Sequence, residues 1–303
     1  MDFRSIYPAI ITPFTSDGDI DEEALISYCT WLSEVPGVGG LVANGHAGEG
    51  SSMTEAERLG VLRLLKRELP DVPLVAGVTG DGSRVVAREA DLCAEAGADA
   101  LLVFPAHSWL RFGFQDGAPR ERYEAVAQAS GLPLILFQFP NATKAAYELD
   151  TILSICELDQ VVALKEGGRD MIKWDTQVPV IRERFPDLAI LTCQDEFLLH
   201  TMWESDGALV GYAALIPELM VELLESAKAH DYGAAKSIYD RMAPLTSAVY
   251  HRASHIESTA AMKIGLVERG LIPNDTVRTP LMPLGGEVRE EIRMALEAAG
   301  VSL

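Results

Sequence analysis

The chain has 303 residues, 48% of them hydrophobic, which supplies a large core and suits one barrel of alternating strands and helices with an appendage. Its 25 Lys and Arg stand against 45 Asp and Glu, a formal charge of −20, so phosphate backbones and anionic membranes are repelled, while a small anionic substrate in a locally positive site is not. Cys29, Cys93, Cys156 and Cys193 form no CxxC pair and read as reduced, mostly buried thiols; the opening MDFRSIYPAIITPF carries neither a secretory signal nor a spanning run, so a cytoplasmic protein is expected.

The first apolar run covers 7–12, and a helix is predicted over 22–34, where Leu25, Ile26, Cys29 and Leu32 follow the helical period. A second run, 40–45, precedes a helix over 54–69 that opens with Thr54 and has Glu57 three residues on, a capping box in form. Run 73–78 leads through Gly80-Asp81-Gly82-Ser83 into a helix over 83–96 that stops at Gly97. Runs 98–105 and 132–140 flank a helix over 119–130, and a helix over 150–158 precedes run 160–165. The stretch 171–185 is helical in pattern, but Pro179 inside it predicts two pieces. Run 188–194, a helix over 196–205 and run 207–213 complete the series. Four further helical segments start near Pro217, Tyr232, Ile256 and Glu287.

The eight runs are continuously apolar rather than alternating, as in parallel strands covered on both faces. Strand and helix alternating at intervals of roughly 25–35 residues predict right-handed crossovers and a (β/α)8 TIM barrel over 1–230, with 231–303 a helical extension packed on it. An open doubly wound sheet is disfavoured, because Thr12-Pro13-Phe14-Thr15 follows the first strand where a glycine fingerprint would stand.

In Val161-Val162-Ala163-Leu164-Lys165 alternate residues share a face, which puts Lys165 with Val161 and Ala163. If that face is the barrel interior, burial favours the neutral amine, which attacks a ketone to form an imine. Spacing alone leaves a second reading open: a surface lysine capping the strand and paired with Glu166.

From end to end the chain resembles the dihydrodipicolinate synthase / N-acetylneuraminate lyase family. Tyr7-Pro8-Ala9-Ile10-Ile11-Thr12-Pro13-Phe14 is similar to that family's first strand, and Gly45-His46-Ala47-Gly48-Glu49 sits where the family carries Gly-Thr/Ser-Thr-Gly-Glu. Leu164-Lys165-Glu166 resembles the segment with the family's Schiff-base lysine, and Arg278, Pro280, Leu281, Pro283 and Leu284 its C-terminal signature. The resemblance implies a cofactor-free, metal-free class I aldolase or dehydratase acting on a 2-oxo acid such as pyruvate or a hydroxylated sugar acid, with Lys165 catalytic. It also implies an assembly of paired dimers, a homotetramer or homodimer.

The family's relay of hydroxyls is missing. Phe137-Gln138-Phe139-Pro140 stands where the family has Tyr-Asn-x-Pro, and His46 and His107 occupy the neighbourhood of the two partner hydroxyls. A rebuilt proton relay through His46 and His107 is expected, since imidazole takes and gives protons near neutrality. The backbone amides of His46 and Ala47, in a turn permitted by Gly45 and Gly48, are expected to hold the substrate carboxylate. Tyr212 returns a phenol to the pocket or packs in the core; Gln138, Gln194 and Asp195, at strand ends, bind the substrate tail or cap loops. Ala142 falls where the synthases carry an arginine for their second substrate, so the pattern leans to a lyase other than dihydrodipicolinate synthase.

The alternative is a non-catalytic protein that binds or senses a 2-oxo acid with the same pocket. His251, His255 and Glu257 could hold zinc but read as a surface or subunit contact, and Gly80–Ser83 reads as a capped turn rather than a phosphate cradle.

Overall fold

A computed structural model describes all 303 residues. Its strands are β1 (Ile6–Pro8), β2 (Leu41–Ala43), β3 (Leu74–Val78), β4 (Ala100–Val103), β5 (Leu134–Gln138), β6 (Val161–Glu166), β7 (Ala189–Thr192) and β8 (Gly207–Val210). All pair in parallel: β2 to β8 each with its chain neighbour in that series, and β1 with β8. Single bridges, Ile6 to Val38 and Ala9 to Val42, bring β1 against β2 and close the ring. Between the strands run α1 (Glu22–Glu34), α2 (Glu55–Glu68), α3 (Ser83–Glu95), the short α4 (His107–Phe112), α5 (Ala118–Ser130), α6 (Leu149–Cys156), α7 (Met171–Arg184) and the short α8 (Leu198–Thr201). α9 (Pro217–Lys228), α10 (Tyr232–Tyr250), α11 (Glu257–Glu268) and α12 (Gly286–Ala299) follow. This is the expected barrel, and no helix is long and apolar enough to cross a membrane.

Local signals explain most of the boundaries. Asp21 caps α1 by accepting from the Ala24 amide at 3.0 Å, and Thr54 and Glu57 form the capping box of α2. Two expectations need correcting. α7 is one helix despite Pro179, because Trp174, Val178 and Ile181 bury a shared face and hold it across the missing N–H. The helix foreseen over 196–205 is reduced to the four residues of α8.

Side chains sort into two layers. Val42, Val75, Leu102, Ile135, Ala163, Leu191 and Leu209 fill the barrel interior, and a larger set packs between strands and helices. Val161 belongs to the outer layer, not to the face of Lys165: the register of β5 and β6 shifts between Leu134 and Ile135, and Val162 turns to the interior set in its place.

The extension is joined to the barrel by charge as well as packing. α11 is buried continuously from Ser258 to Leu266, and Gly265 lies so close to Leu215 that a Cβ would stand 2.8 Å from it. Lys263 is fully buried; its Nζ lies 2.5 Å from Glu49 Oε1, donates to the Thr276 carbonyl at 2.7 Å and sits 4.1 Å above the Phe14 ring. The other Glu49 oxygen accepts from the Arg278 amide at 2.8 Å, and Arg278 pairs with Glu57 at 2.6 Å. Removing one partner strands the other charge in the interior. Lys263→Met is therefore expected to lower unfolding stability by roughly 3–5 kcal/mol, read from urea denaturation. A loss below about 1 kcal/mol, the range of exposed pairs, would contradict this account of the joint.

Candidate active site

At the C-terminal ends of the strands lies a cavity of about 480 Å³. Ala9, Val42, Leu102, Phe137, Lys165 and Gly211 form its strand-end wall, while His255, Ile256, Ser258, Thr259 and Met262 cover it from the extension. A hollow of about 600 Å³ on the outer surface, lined by Trp174, Trp203, Tyr232 and Tyr239, takes nothing from any strand end.

Lys165 is only 7% exposed and reaches into the cavity. No carboxylate pairs with its amine, and Nζ stands over the Phe137 ring, 3.9 Å from its centroid. Phe104, Phe137 and Phe139 meet edge to face, with centroids 4.7 Å apart for Phe137 and Phe139, and make this wall apolar. Glu166 does not pair with Lys165. It points to the other face of β6, where it accepts from Gln194 Nε2 and from the Gly168 amide at 3.0 Å, and burial pushes it up to about 7.

The turn after β2 faces the amine. Asn44 and Glu49 take left-handed conformations, with φ of 61° and 54°. Gly48 and Gly50 permit close approach, since a Cβ would meet the Ile10 carbonyl at 2.7 Å and the Asn44 carbonyl at 2.4 Å; Gly45 faces open space and is not sterically required. The N–H groups of His46 and Ala47 donate to no group of the chain, and both residues line the cavity. His46 exposes its ring to the cavity and packs 4.8 Å from Phe104 and 5.8 Å from Phe139. Removal from bulk water, then Lys165 and His107, lower its pKa to about 4.

The far end is polar. Asp195, 5% exposed, accepts from the Tyr250 hydroxyl at 2.8 Å, and burial raises its pKa. Arg169 reaches Glu196 at 2.5 and 2.7 Å and Asp195 at 3.5 Å. Its Nη2 lies 3.1 Å from His255 Nε2; as a guanidinium only donates, that nitrogen carries the lone pair and His255 is neutral. Burial and Arg169 hold the His255 pKa below the ordinary value.

The sequence matches the dihydrodipicolinate synthetase family over residues 2–299. The chain belongs to that family. A 4-hydroxy-tetrahydrodipicolinate synthase from Haloarcula marismortui is 30% identical over 301 residues, 98% of this chain and 94% of the relative. One from Methanothrix thermoacetophila is 29% identical over 97% of this chain and 96% of its own length. The chloride-inhibited dihydrodipicolinate synthase of Acinetobacter baumannii, solved with pyruvate, is 27% identical with a TM-score of 0.87, covering 99% of this chain and 100% of that one. Members of the family are class I aldolase-type lyases that act through a Schiff base, and this chain is an enzyme of that class.

Lys165, Gly45, His46, Ala47 and Phe137 all line the cavity. His107 does not line it; it stands exposed at the start of α4 with its ring 6.5 Å from that of His46. Gln138 faces away and is spent on the backbone of Tyr147, donating to its carbonyl and accepting from its amide, both at 2.9 Å. Gln194 bonds Glu166 and the Arg169 amide, and its neighbour Asp195 lines the cavity instead. Tyr212 is turned outward by a short 3-10 turn, donates to the Met242 carbonyl at 3.3 Å, and packs against Tyr250 rather than entering the pocket. The phenol in the cavity is Tyr250, from the end of α10. The amides of Thr79 and Gly80, where a phosphate would sit, both donate to Glu89.

A histidine that takes its proton near 6.5 when unfolded and only near 4 when folded is neutral in the native site, and the fold loses stability as pH falls through that interval. NMR titration of His46 is expected to give a midpoint near 4; a midpoint at the ordinary 6.5 would refute the desolvated site described above.

Proposed function

We propose that this protein is a 2-oxo acid lyase in which Lys165 forms the Schiff base, and that it is not a dihydrodipicolinate synthase. The observation that carries this reading is an unpaired amine in a strand-end cavity that is also lined by His46 and Ala47, whose backbone N–H groups are unused. The amine of Lys165 condenses with the C2 ketone and expels water. The amides of His46 and Ala47 hold the carboxylate. The protonated imine then draws electrons from C3. Either the C3–C4 bond breaks, the C4 hydroxyl losing its proton and an aldehyde leaving, or the C3 proton is lost and hydroxide departs from C4. His46, a neutral imidazole on the cavity wall, is the proton acceptor. His107 contributes indirectly, by its electrostatic effect on His46.

Against synthase activity stand Phe137 and His46 in place of two relay hydroxyls, and Ala142 in place of the arginine that the family resemblance leads one to expect. The far wall supports a substrate with a neutral, hydroxylated tail. There Asp195 and Glu196 face a single guanidinium, which disfavours a second carboxylate, while Asp195, Tyr250, Ser258 and Thr259 offer hydrogen bonds.

Pyruvate with borohydride is expected to add its reduced adduct to Lys165, located by peptide mass spectrometry, and Lys165→Arg to abolish it; an adduct elsewhere, or none, overturns the reading. Asp195→Asn is expected to keep pyruvate trapping and to lower kcat/KM on hydroxylated 2-oxo acids by roughly 10–100-fold, the worth of a hydrogen bond to a charged group. Unchanged kcat/KM would remove Asp195 from the tail site.

A further inference from the structure

Glu166 lies next in the chain to Lys165 but on the opposite face of β6, and the lyase chemistry makes no use of it. It is 9% exposed and has no cation partner; two donors meet it instead. Oε1 accepts from the Gly168 amide at 3.0 Å, so close that a Cβ on Gly168 would stand 2.6 Å from that oxygen. Oε2 accepts from Gln194 Nε2, and the same Gln194 side chain turns its own oxygen to the Arg169 amide at 3.1 Å. Arg169 has φ of 53°, a backbone setting that a non-glycine residue keeps only when its surroundings fix it. From there its guanidinium crosses the cavity mouth to Glu196, Asp195 and His255.

The chain of bonds has one direction. Gln194 must give its N–H to Glu166 because its oxygen is committed to Arg169. An amide at 166 has one accepting oxygen for two donors. If Gln194 flips to accept from it, the Gln194 amine is driven against the Arg169 N–H. Every arrangement leaves a donor facing a donor in a buried cluster, and only a carboxylate satisfies them all.

We propose that Glu166 is a positioning residue that sets Arg169, through Gln194 and Gly168, across the cavity mouth and thereby anchors His255, and with it Ile256, over the substrate. The proposal rests on reading this cavity as the substrate site. His255 reports on the setting without turnover, because its Nε2 accepts from Arg169 Nη2 at 3.1 Å while the Tyr250 ring stacks on it at 5.4 Å.

The test is the ring nitrogen NMR spectrum of His255, assigned with His255→Asn, in the whole protein at about pH 8.5, where Glu166 is ionised. Arg169→Met is the reference and shifts the Nε2 signal by removing the N–H that this nitrogen accepts. Glu166→Gln is expected to shift it toward the Arg169→Met value while pyruvate and borohydride still label Lys165. A folded Glu166→Gln protein whose His255 signals match the parent's overturns the proposal. If that variant does not fold, Gln194→Met, which removes the same link at similar volume, decides on the same readings. Absence of Lys165 labelling in the parent protein would count against the lyase reading alone, since the His255 signals do not depend on it.

Discussion

A lysine amine held without a counter-ion inside a closed ring of eight strands sets the terms for the rest of the molecule. The ring must be complete, because an open sheet would let water reach the amine from the side. Bridges between β1 and β2 complete it. The wall beside the amine must be apolar, and Phe104, Phe137 and Phe139 supply it. Acidic groups must be kept away or turned aside. Glu166 is turned to the other face, and Asp195, which lines the far end of the cavity, has its charge balanced by Arg169 at 3.5 Å. In a chain with a formal charge of −20, a site able to receive an anionic acid depends on that exclusion.

The extension closes the same cavity from above. Glu49 is the hinge of this arrangement, one oxygen to Lys263 of α11 and the other to the Arg278 amide. The turn that offers the His46 and Ala47 amides is thus held by residues more than two hundred positions away in sequence. Packing alone would leave α11 free to slide along the barrel rim; a buried charge pair with both oxygens used fixes its register, and with it the positions of Ser258, Thr259 and Met262 over the site.

The barrel was legible in the sequence because its signals are local, continuous apolar runs and a capping box at Thr54, whereas alternation along β6 left Lys165 open to a surface reading and only the family resemblance favoured a catalytic one. The three misplaced strand-end residues share one cause. Phe137, Cys193 and Gly211 line the cavity, so Gln138, Gln194 and Tyr212, one residue further on, face outward. The same parity carried past the strand ends selects Phe139, Asp195 and, beyond Lys165 and Gly167, Arg169. Polarity was the misleading cue, since a polar residue at a strand end serves the loop as readily as the ligand. Val161 shows where parity itself slips, at a register shift visible only once β5 and β6 are paired. Tyr250 and His255 had no local signal, because the extension meets the cavity only after the whole barrel has closed.

The central claim is geometric and is tested most directly by a crystal structure of the protein soaked with pyruvate. Continuous density from Lys165 Nζ to C2, with the carboxylate on the amides of His46 and Ala47, is the predicted result. Pyruvate bound with its carboxylate on Arg169, or density ending short of the Lys165 amine, would contradict the account.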